Sequence, residues 1–346
     1  MTATKLWGAA SLLALATAAS AQDSELLVFD YSGFEMPEYH QDYIDKHGAS
    51  PTFTFFGDED EAFQKIRAGF RADVSHVCAP SVTRWTESGI LEPWDTDRIT
   101  AYNDLNASLT GEEIGAGETY FIPTDFGSTA IAYNPEEVSE EDVASLQVFT
   151  NPAFAGRMTL PDNVDDAYAL AYLATGVTNW QDVTDEEFEA ASNWLREVHP
   201  NLRTYWTDPA ELAQLLSSGE ILVSWAWNET YPAMVEEGRP IAFQREAEEG
   251  SSLWLCGYVK LAGGQGNVDK AYDYLNAFLS ETSVVPLLEA GYGSANAVAL
   301  EAQVTEEDLI ASGLEDIDVP ILAQLPMSNA DKERMAETFE MIKAGF

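Results

Sequence analysis

The sequence predicts an α/β protein of two lobes, each a mostly parallel sheet flanked by helices, with a ligand cleft between the lobes. Three observations predict it. Apolar runs of strand length alternate with segments of helical period from Leu26 onward. The first three strands end in loops rich in aromatic, hydroxyl and acidic residues, and in an open parallel sheet the ligand crevice lies beyond the carboxyl ends of the strands. Finally, 346 residues exceed what one hydrophobic core usually organises, so two lobes of roughly 150 residues follow.

The chain opens on Lys5, an apolar run from Trp7 to Ala18 and the small triplet Ala19-Ser20-Ala21. This reads as a secretory signal peptide spanning 1–21 and cut before Gln22. The run is too short for a membrane span, and no later stretch reaches the roughly 18 apolar residues a spanning helix needs. No cysteine at the cleavage site offers a lipid anchor, so in a Gram-negative cell the expectation is a periplasmic protein.

Leu26-Leu27-Val28-Phe29 then reads as a buried strand, Glu38 to His47 as a helix ended by Gly48, and Thr52 to Phe56 as a second strand. Asp60 to Gly69 reads as a helix, Asp73 to Cys78 as a third strand, and Val82 to Gly89 as a helix after a break at Ala79-Pro80-Ser81. The strand ends carry Asp30-Tyr31-Ser32-Gly33-Phe34, Gly57-Asp58-Glu59 and Ser81-Val82-Thr83, which makes the expected crevice aromatic and polar. A second series starts with Thr129 to Tyr133. Capping boxes at Ser139, Thr184 and Thr305 each predict a helix start, because the hydroxyl accepts an orphan N–H and the following acids favour the positive helix end. Ile221 to Trp227 and Leu253 to Val259 read as later strands and Lys270 to Leu279 as a helix. With no linker between the lobes, crossing strands are expected to form the hinge.

The formal charge of −42, from 59 acidic and 17 basic residues, speaks against nucleic acid as a partner, since phosphate binding needs clustered Lys and Arg. A field of this sign attracts cations, and acidity also keeps a protein soluble in salt. Metal and cofactor sites are not expected. The histidines His40, His47, His76 and His199 lack ligand spacing, Asp58-Glu59-Asp60-Glu61 is a helix start rather than a calcium loop, and no P-loop, G-x-G-x-x-G or G-x-S-x-G motif occurs. An enzyme is not expected, although a hydrolase using cleft acids is an alternative class. Tyr31, Phe34, Phe126, Trp227, Trp254 and Tyr292 all fall near strand ends. Each ring could be core; together they suggest a cage for an ammonium group, worth about 0.5 to 2 kcal/mol per face.

These residues resemble a family. The turn Tyr31-Ser32-Gly33-Phe34, the strand end Pro80-Ser81, Phe126-Gly127-Ser128-Thr129-Ala130, Pro152-Ala153-Phe154-Ala155-Gly156, the run Gly219-Glu220 to Trp227-Asn228, and Gly291-Tyr292-Gly293-Ser294 occur in an order similar to that of the periplasmic spermidine/putrescine-type substrate-binding proteins of ABC importers. The resemblance covers nearly all of the chain after residue 21. It implies a type II periplasmic binding protein, with 22–127 plus 254–295 as lobe 1 and 128–253 plus 296–346 as lobe 2, hinged near Gly127, Leu253 and Ala295. The implied partners are a small-molecule amine and an inner-membrane ABC permease, with the receptor itself a monomer. The ligand residues expected are Tyr31, Ser32, Phe34, Ser81, Phe126, Asp166, Trp227, Trp254 and Tyr292, with Asp125 and Glu229 added for their place beside the aromatic positions.

Two departures bear on the ligand. Polyamine binders of this family keep an acid two residues after the tryptophan that here is Trp254, and this chain has Cys256 there. Asn163 falls where a second acid is often found, leaving Asp166 to keep the acidic role. Losing an acid removes a charge-assisted bond worth roughly 1.5 to 3 kcal/mol. Asp125 and Glu229 are possible replacements. A quaternary-ammonium or zwitterionic betaine-like solute is the alternative ligand, and Arg84 or Arg157 would then hold an anionic end. Cys78 and Cys256 are the only cysteines in a chain expected to enter an oxidising compartment, and the family topology sets their strands side by side; a disulfide or two buried thiols would fit.

Overall fold

The computed structural model describes residues 22–106 and 118–346, so the expected signal peptide at 1–21 lies outside the described residues. Among the described residues twelve strands join one continuous sheet: β1 (Gln22–Tyr31), β2 (Ser50–Phe56), β3 (Val74–Cys78), β4 (Leu91–Glu92), β5 (Phe121–Tyr133), β6 (Met158–Pro161), β7 (Leu202–Trp206), β8 (Val223–Trp227), β9 (Ala242–Gln244), β10 (Ser251–Leu261), β11 (Gly293–Ser294) and β12 (Ile321–Ala323). Its main path runs β2-β1-β3-β10-β5-β8-β6-β7. Parallel trios stand at each end, β2, β1 and β3 on one side and β8, β6 and β7 on the other. Between them β10 and β5 pair antiparallel.

Two main cores flank that central pair. One gathers residues from Leu26 to Ile122 and from Leu255 to Ala295; the other gathers residues from Ala130 to Ala247 and from Leu322 to Ile342. A smaller apolar cluster around Trp206, Leu212 and Met234 adjoins the second. This is the two-lobed α/β fold of the type II periplasmic binding proteins. β5 passes from Phe121 and Ile122 in the first core to Ala130 and Ile131 in the second, and β10 pairs Trp254 with Gly127 where β5 changes core. The segment 296–312, expected with lobe 2, touches both sides: Ala297–Gln303 and Glu306–Ser312 pack on the first-core helix Glu281–Glu289, while Glu306–Ser312 also packs on Thr230–Glu236 and Asn228 Nδ2 donates to the Ser312 carbonyl. Asn296 Nδ2 and Ser312 Oγ tie this segment to the Leu279 and Leu288 carbonyls.

Local structure differs from the periodicity reading in three places. The first helix begins as a 3-10 turn, Pro37–His40, before the α-helix Gln41–His47, because Pro37 fixes the entry and cannot donate. The helix placed at Val82 starts at Ala79, with Pro80 in the first turn, where its missing N–H costs nothing. Ser139 and Asp142 exchange the expected bonds but close only a turn, since Ser145 starts a new 3-10 segment, Leu146–Thr150. The boxes at Thr184 and Thr305 do cap the helices Asp185–Val198 and Glu306–Ser312. No helix among the described residues is long and apolar enough to cross a membrane.

Candidate functional site

The carboxyl ends of β1, β2, β3, β6 and β8 converge beside the β5–β10 crossing. β1 ends on Tyr31, whose ring sits 4.4 Å from Phe56 and 5.8 Å from His76. Gly33, at φ +107°, turns the chain back so that Phe34 is buried and stacks 4.9 Å from Tyr292. Ser32 stays exposed on this turn. Tyr292 in turn meets Trp254 edge-on at 6.0 Å.

Glycines set the tryptophan and phenylalanine faces. A Cβ on Gly127 would collide with the Trp254 indole, and one on Gly293 would collide with the Phe126 ring, so both rings lie directly on backbone. Trp254 Nε1 is buried without a hydrogen-bond partner. Trp227 closes β8, meets Trp206 edge-on at 4.6 Å, and donates its indole N–H to Asp166 Oδ2 at 2.7 Å.

Asp166 lies in the first turn of the helix Val164–Ala174. Its Oδ1 accepts from Thr129 Oγ1 and from Gln324 Nε2, both at 2.9 Å. Burial raises its pKa, and the three donors work the other way. Asn163 caps this helix by accepting the Asp165 and Asp166 backbone N–H groups. An acid there could cap as well, so the departure at Asn163 keeps the helix start and drops a charge.

Asp125 is held differently. It is fully buried in β5, opposite both Cys256 of β10 and Ser294 of β11. Its Oδ1 faces Thr124 Oγ1 at 2.6 Å and His76 Nε2 at 3.0 Å, while its Oδ2 is buried with no hydrogen-bond partner. His76 Nδ1 lies 2.9 Å from Asp30 Oδ1, Tyr258 OH donates to Asp30 Oδ2, and the Tyr258 ring stacks on the imidazole at 4.7 Å. Burial opposes a charged imidazole, but Asp125 and Asp30 together outweigh it and hold the His76 pKa up at about 10. The ring is therefore an imidazolium at neutral pH and donates from both nitrogens.

Glu229 follows Trp227-Asn228 and accepts a hydrogen bond from Tyr292. Burial, with Asp125 and Asp166 adding repulsion, pushes its pKa up to about 7. On the other flank, Glu59 accepts from Ser81 Oγ and from the Cys78 N–H, and it shares a hydrogen bond with Tyr31. Cys78 and Cys256 form a disulfide between the facing strands β3 and β10, so the position of the missing family acid is a bridged sulfur beside Asp125.

Of the residues singled out in the sequence, Tyr31, Phe34, Ser81, Asp125, Phe126, Asp166, Trp227, Glu229, Trp254 and Tyr292 line this region, with Ser32 at its exposed rim. Arg84 and Arg157 do not join them. Arg84 pairs with Asp60 and lies 4.0 Å over Phe63, and Arg157 donates to the Gly219 carbonyl at 2.8 Å. Sequence reasoning missed the parts played by His76, Gln324 and Lys332, and it took Glu59 only as an acid of a strand-end loop and helix start. Among the described residues no cluster of His, Cys, Asp and Glu is set to hold a metal ion.

Residues 38–311 match the family model of the bacterial extracellular solute-binding protein. The chain is similar to the spermidine/putrescine-binding periplasmic protein of Escherichia coli strain K12, 24% identical over 298 residues and 84% of each chain. It is also similar to a putrescine/cadaverine-binding protein of Pseudomonas aeruginosa, 24% identical over 313 residues and 86% of each chain. A solved spermidine/putrescine ABC transporter substrate-binding protein from Streptococcus pneumoniae superposes with a TM-score of 0.74 at 16% identity, covering 93% of this chain and 99% of the other. These relatives are binding proteins of transporters and not enzymes, which sets the hydrolase alternative aside. With the two-lobed sheet and the aromatic, acidic cleft at its crossing strands, the match places this chain in the bacterial extracellular solute-binding protein family.

Proposed function

We propose that this protein is the periplasmic receptor of an ABC importer and captures a small organic amine between its lobes for delivery to an inner-membrane permease. The observation that carries the reading is Asp125: a buried carboxylate whose Oδ2 has no partner, close to Glu229 and to the rings of Tyr292 and Phe34. A buried carboxylate oxygen without a partner is costly, and an ammonium group supplies both charge and donors. Aromatic faces add cation attraction in the same space. What the relatives are named for, spermidine, putrescine and cadaverine, falls in this chemical class.

Capture works by differential contact. Tyr292 of the first-core side hydrogen-bonds Glu229 of the second, and a ligand bound by both sides would favour their closure. The moving bodies are proposed as 22–127 plus 254–295 and 128–253 plus the chain after 312, with 296–312 riding on the first. Scattering with saturating ligand should show compaction relative to the free protein.

The test is a thermal-shift panel of putrescine, cadaverine, spermidine, simple alkyl amines and glycine betaine. A ligand at 100 times its dissociation constant adds about 2.7 kcal/mol of stability. Stabilisation by at least one amine is expected. A panel in which only glycine betaine shifts the melt would move the site to the betaine reading, and no shift at all would overturn amine capture.

A further inference from the structure

Lys332 is a cation that the amine reading does not use. It lies in the helix Asn329–Lys343, is only 7% exposed, and pairs with Asp165 in the first turn of Val164–Ala174, one residue before Asp166. Its helix packs on Ala79–Glu87, the helix whose first turn supplies Ser81 to Glu59. Lys332 thus stands where the two lobes meet, beside two acids, Asp165 from the second lobe and Glu59 from the first; Glu59 acts on the ammonium through space and holds Tyr31 and Ser81.

The charge arrangement is therefore unequal along the cleft. Among the described residues no lysine or arginine pairs with Asp125, Glu229 or Asp166; Asp125 shares the buried His76 imidazolium with Asp30, and Asp166 is held by neutral donors only. Around Asp165 and Glu59 the protein's own ammonium is already in place. A diamine whose second ammonium reached toward Asp165 and Glu59 would meet the buried Lys332 ammonium there, and like charges in a buried setting repel far more strongly than in water.

We infer that Lys332 is a tethered ammonium that occupies the second cation position of the cleft, so that the receptor selects ligands with one ammonium group over α,ω-diamines of the same length. This rests on the amine reading above and narrows it. The departure at Asn163 points the same way, since it drops an acid next to Asp165, on the side where Lys332 already stands.

Calorimetric titration of the processed protein with four-carbon probes tests it: n-butylamine, 4-amino-1-butanol, 4-aminobutanoate and 1,4-diaminobutane. At least one single-ammonium probe is expected to bind tenfold or more tightly than the diamine. The variant Lys332→Met should then improve the diamine relative to that probe by at least tenfold, because Asp165 is freed to take the distal ammonium. Should the variant fold poorly, a melt that the diamine rescues more than the single-ammonium probe supports the same conclusion. A wild-type preference for the diamine, or a ratio unchanged by Lys332→Met, would overturn the inference while leaving amine capture intact. Binding of none of these four, with no amine active in the wider panel, would remove the reading on which it depends.

Discussion

Asp125 and Asp165 are both buried carboxylates of the cleft, yet their counterions differ in kind. Asp125 leans on His76, a cation locked in the sheet between two acids, and keeps one oxygen unpartnered. Asp165 is covered by Lys332, a flexible side chain that reaches in from another helix. A counterion shared with Asp30 inside the core leaves Asp125 short of partners and available to a ligand. A counterion delivered from the cleft side fills the place a ligand would take. Acid count alone therefore does not specify how many charges a ligand carries; the route by which each acid is neutralised does.

Removing the core counterion should have the largest effect. His76→Asn leaves Asp30 and Asp125 buried without positive charge, and breaking a buried pair of this kind costs about 3–5 kcal/mol. Its pH dependence has a defined sign. The folded-state pKa, about 10, lies above the ordinary 6.5, so the stabilisation is complete below about 6.5 and is lost as pH rises through about 10. Urea unfolding of wild type and variant should differ most at neutral or lower pH and converge above pH ~10. A constant difference across that range would place the proton elsewhere.

Next come the aromatic faces. Trp254→Ala and Trp227→Ala should each weaken amine binding by about 1 to 3 kcal/mol. Gly127→Ala should do the same without touching a ligand, since the added methyl collides with the Trp254 indole. Calorimetry on the three variants checks this, with circular dichroism to confirm the fold. Full affinity in Gly127→Ala would mean that the Trp254 position does not matter.

The smallest effect expected is protonic. Glu229 has its pKa raised from 4.5 to about 7, so in the free protein it holds a proton over much of the mildly acid range, and stability drains as pH rises through that window. An ammonium favours the ionised carboxylate. Binding near pH 6.5 should therefore release a proton, and affinity should rise with pH until about 7 and then level. Titration in buffers of different ionisation enthalpy measures the proton directly; identical heats in all buffers would remove Glu229 from the site.

The strand ends were legible because their signals are local. Tyr31, Phe34, Trp227 and Trp254 each close or punctuate an apolar run, and the Phe126-Gly127 and Gly291-Tyr292 pairs carry the glycines that let rings lie on backbone. His76 was not legible, since its partners are 46 and 49 residues away and a lone histidine in an apolar strand reads as core. Lys332 sits among charged neighbours and reads as solvated; only packing of its helix on Ala79–Glu87 buries it. Glu59 was hidden in an acidic run whose neighbour Asp58 does serve as a helix cap. The contacts of 296–312 with both sides depend on side-chain bonds to distant carbonyls, which periodicity does not encode.

The central claim is that the unpartnered oxygen of Asp125 receives the ligand ammonium. Asp125→Asn preserves the shape of the side chain and removes its charge, so one calorimetric comparison of wild type and variant, with whichever amine gives the largest thermal shift, tests it most directly. Loss of a charge-assisted bond predicts affinity weaker by about 1.5 to 3 kcal/mol, roughly tenfold to more than a hundredfold, in a variant that still melts cooperatively. Equal affinity in a folded Asp125→Asn protein would contradict the account.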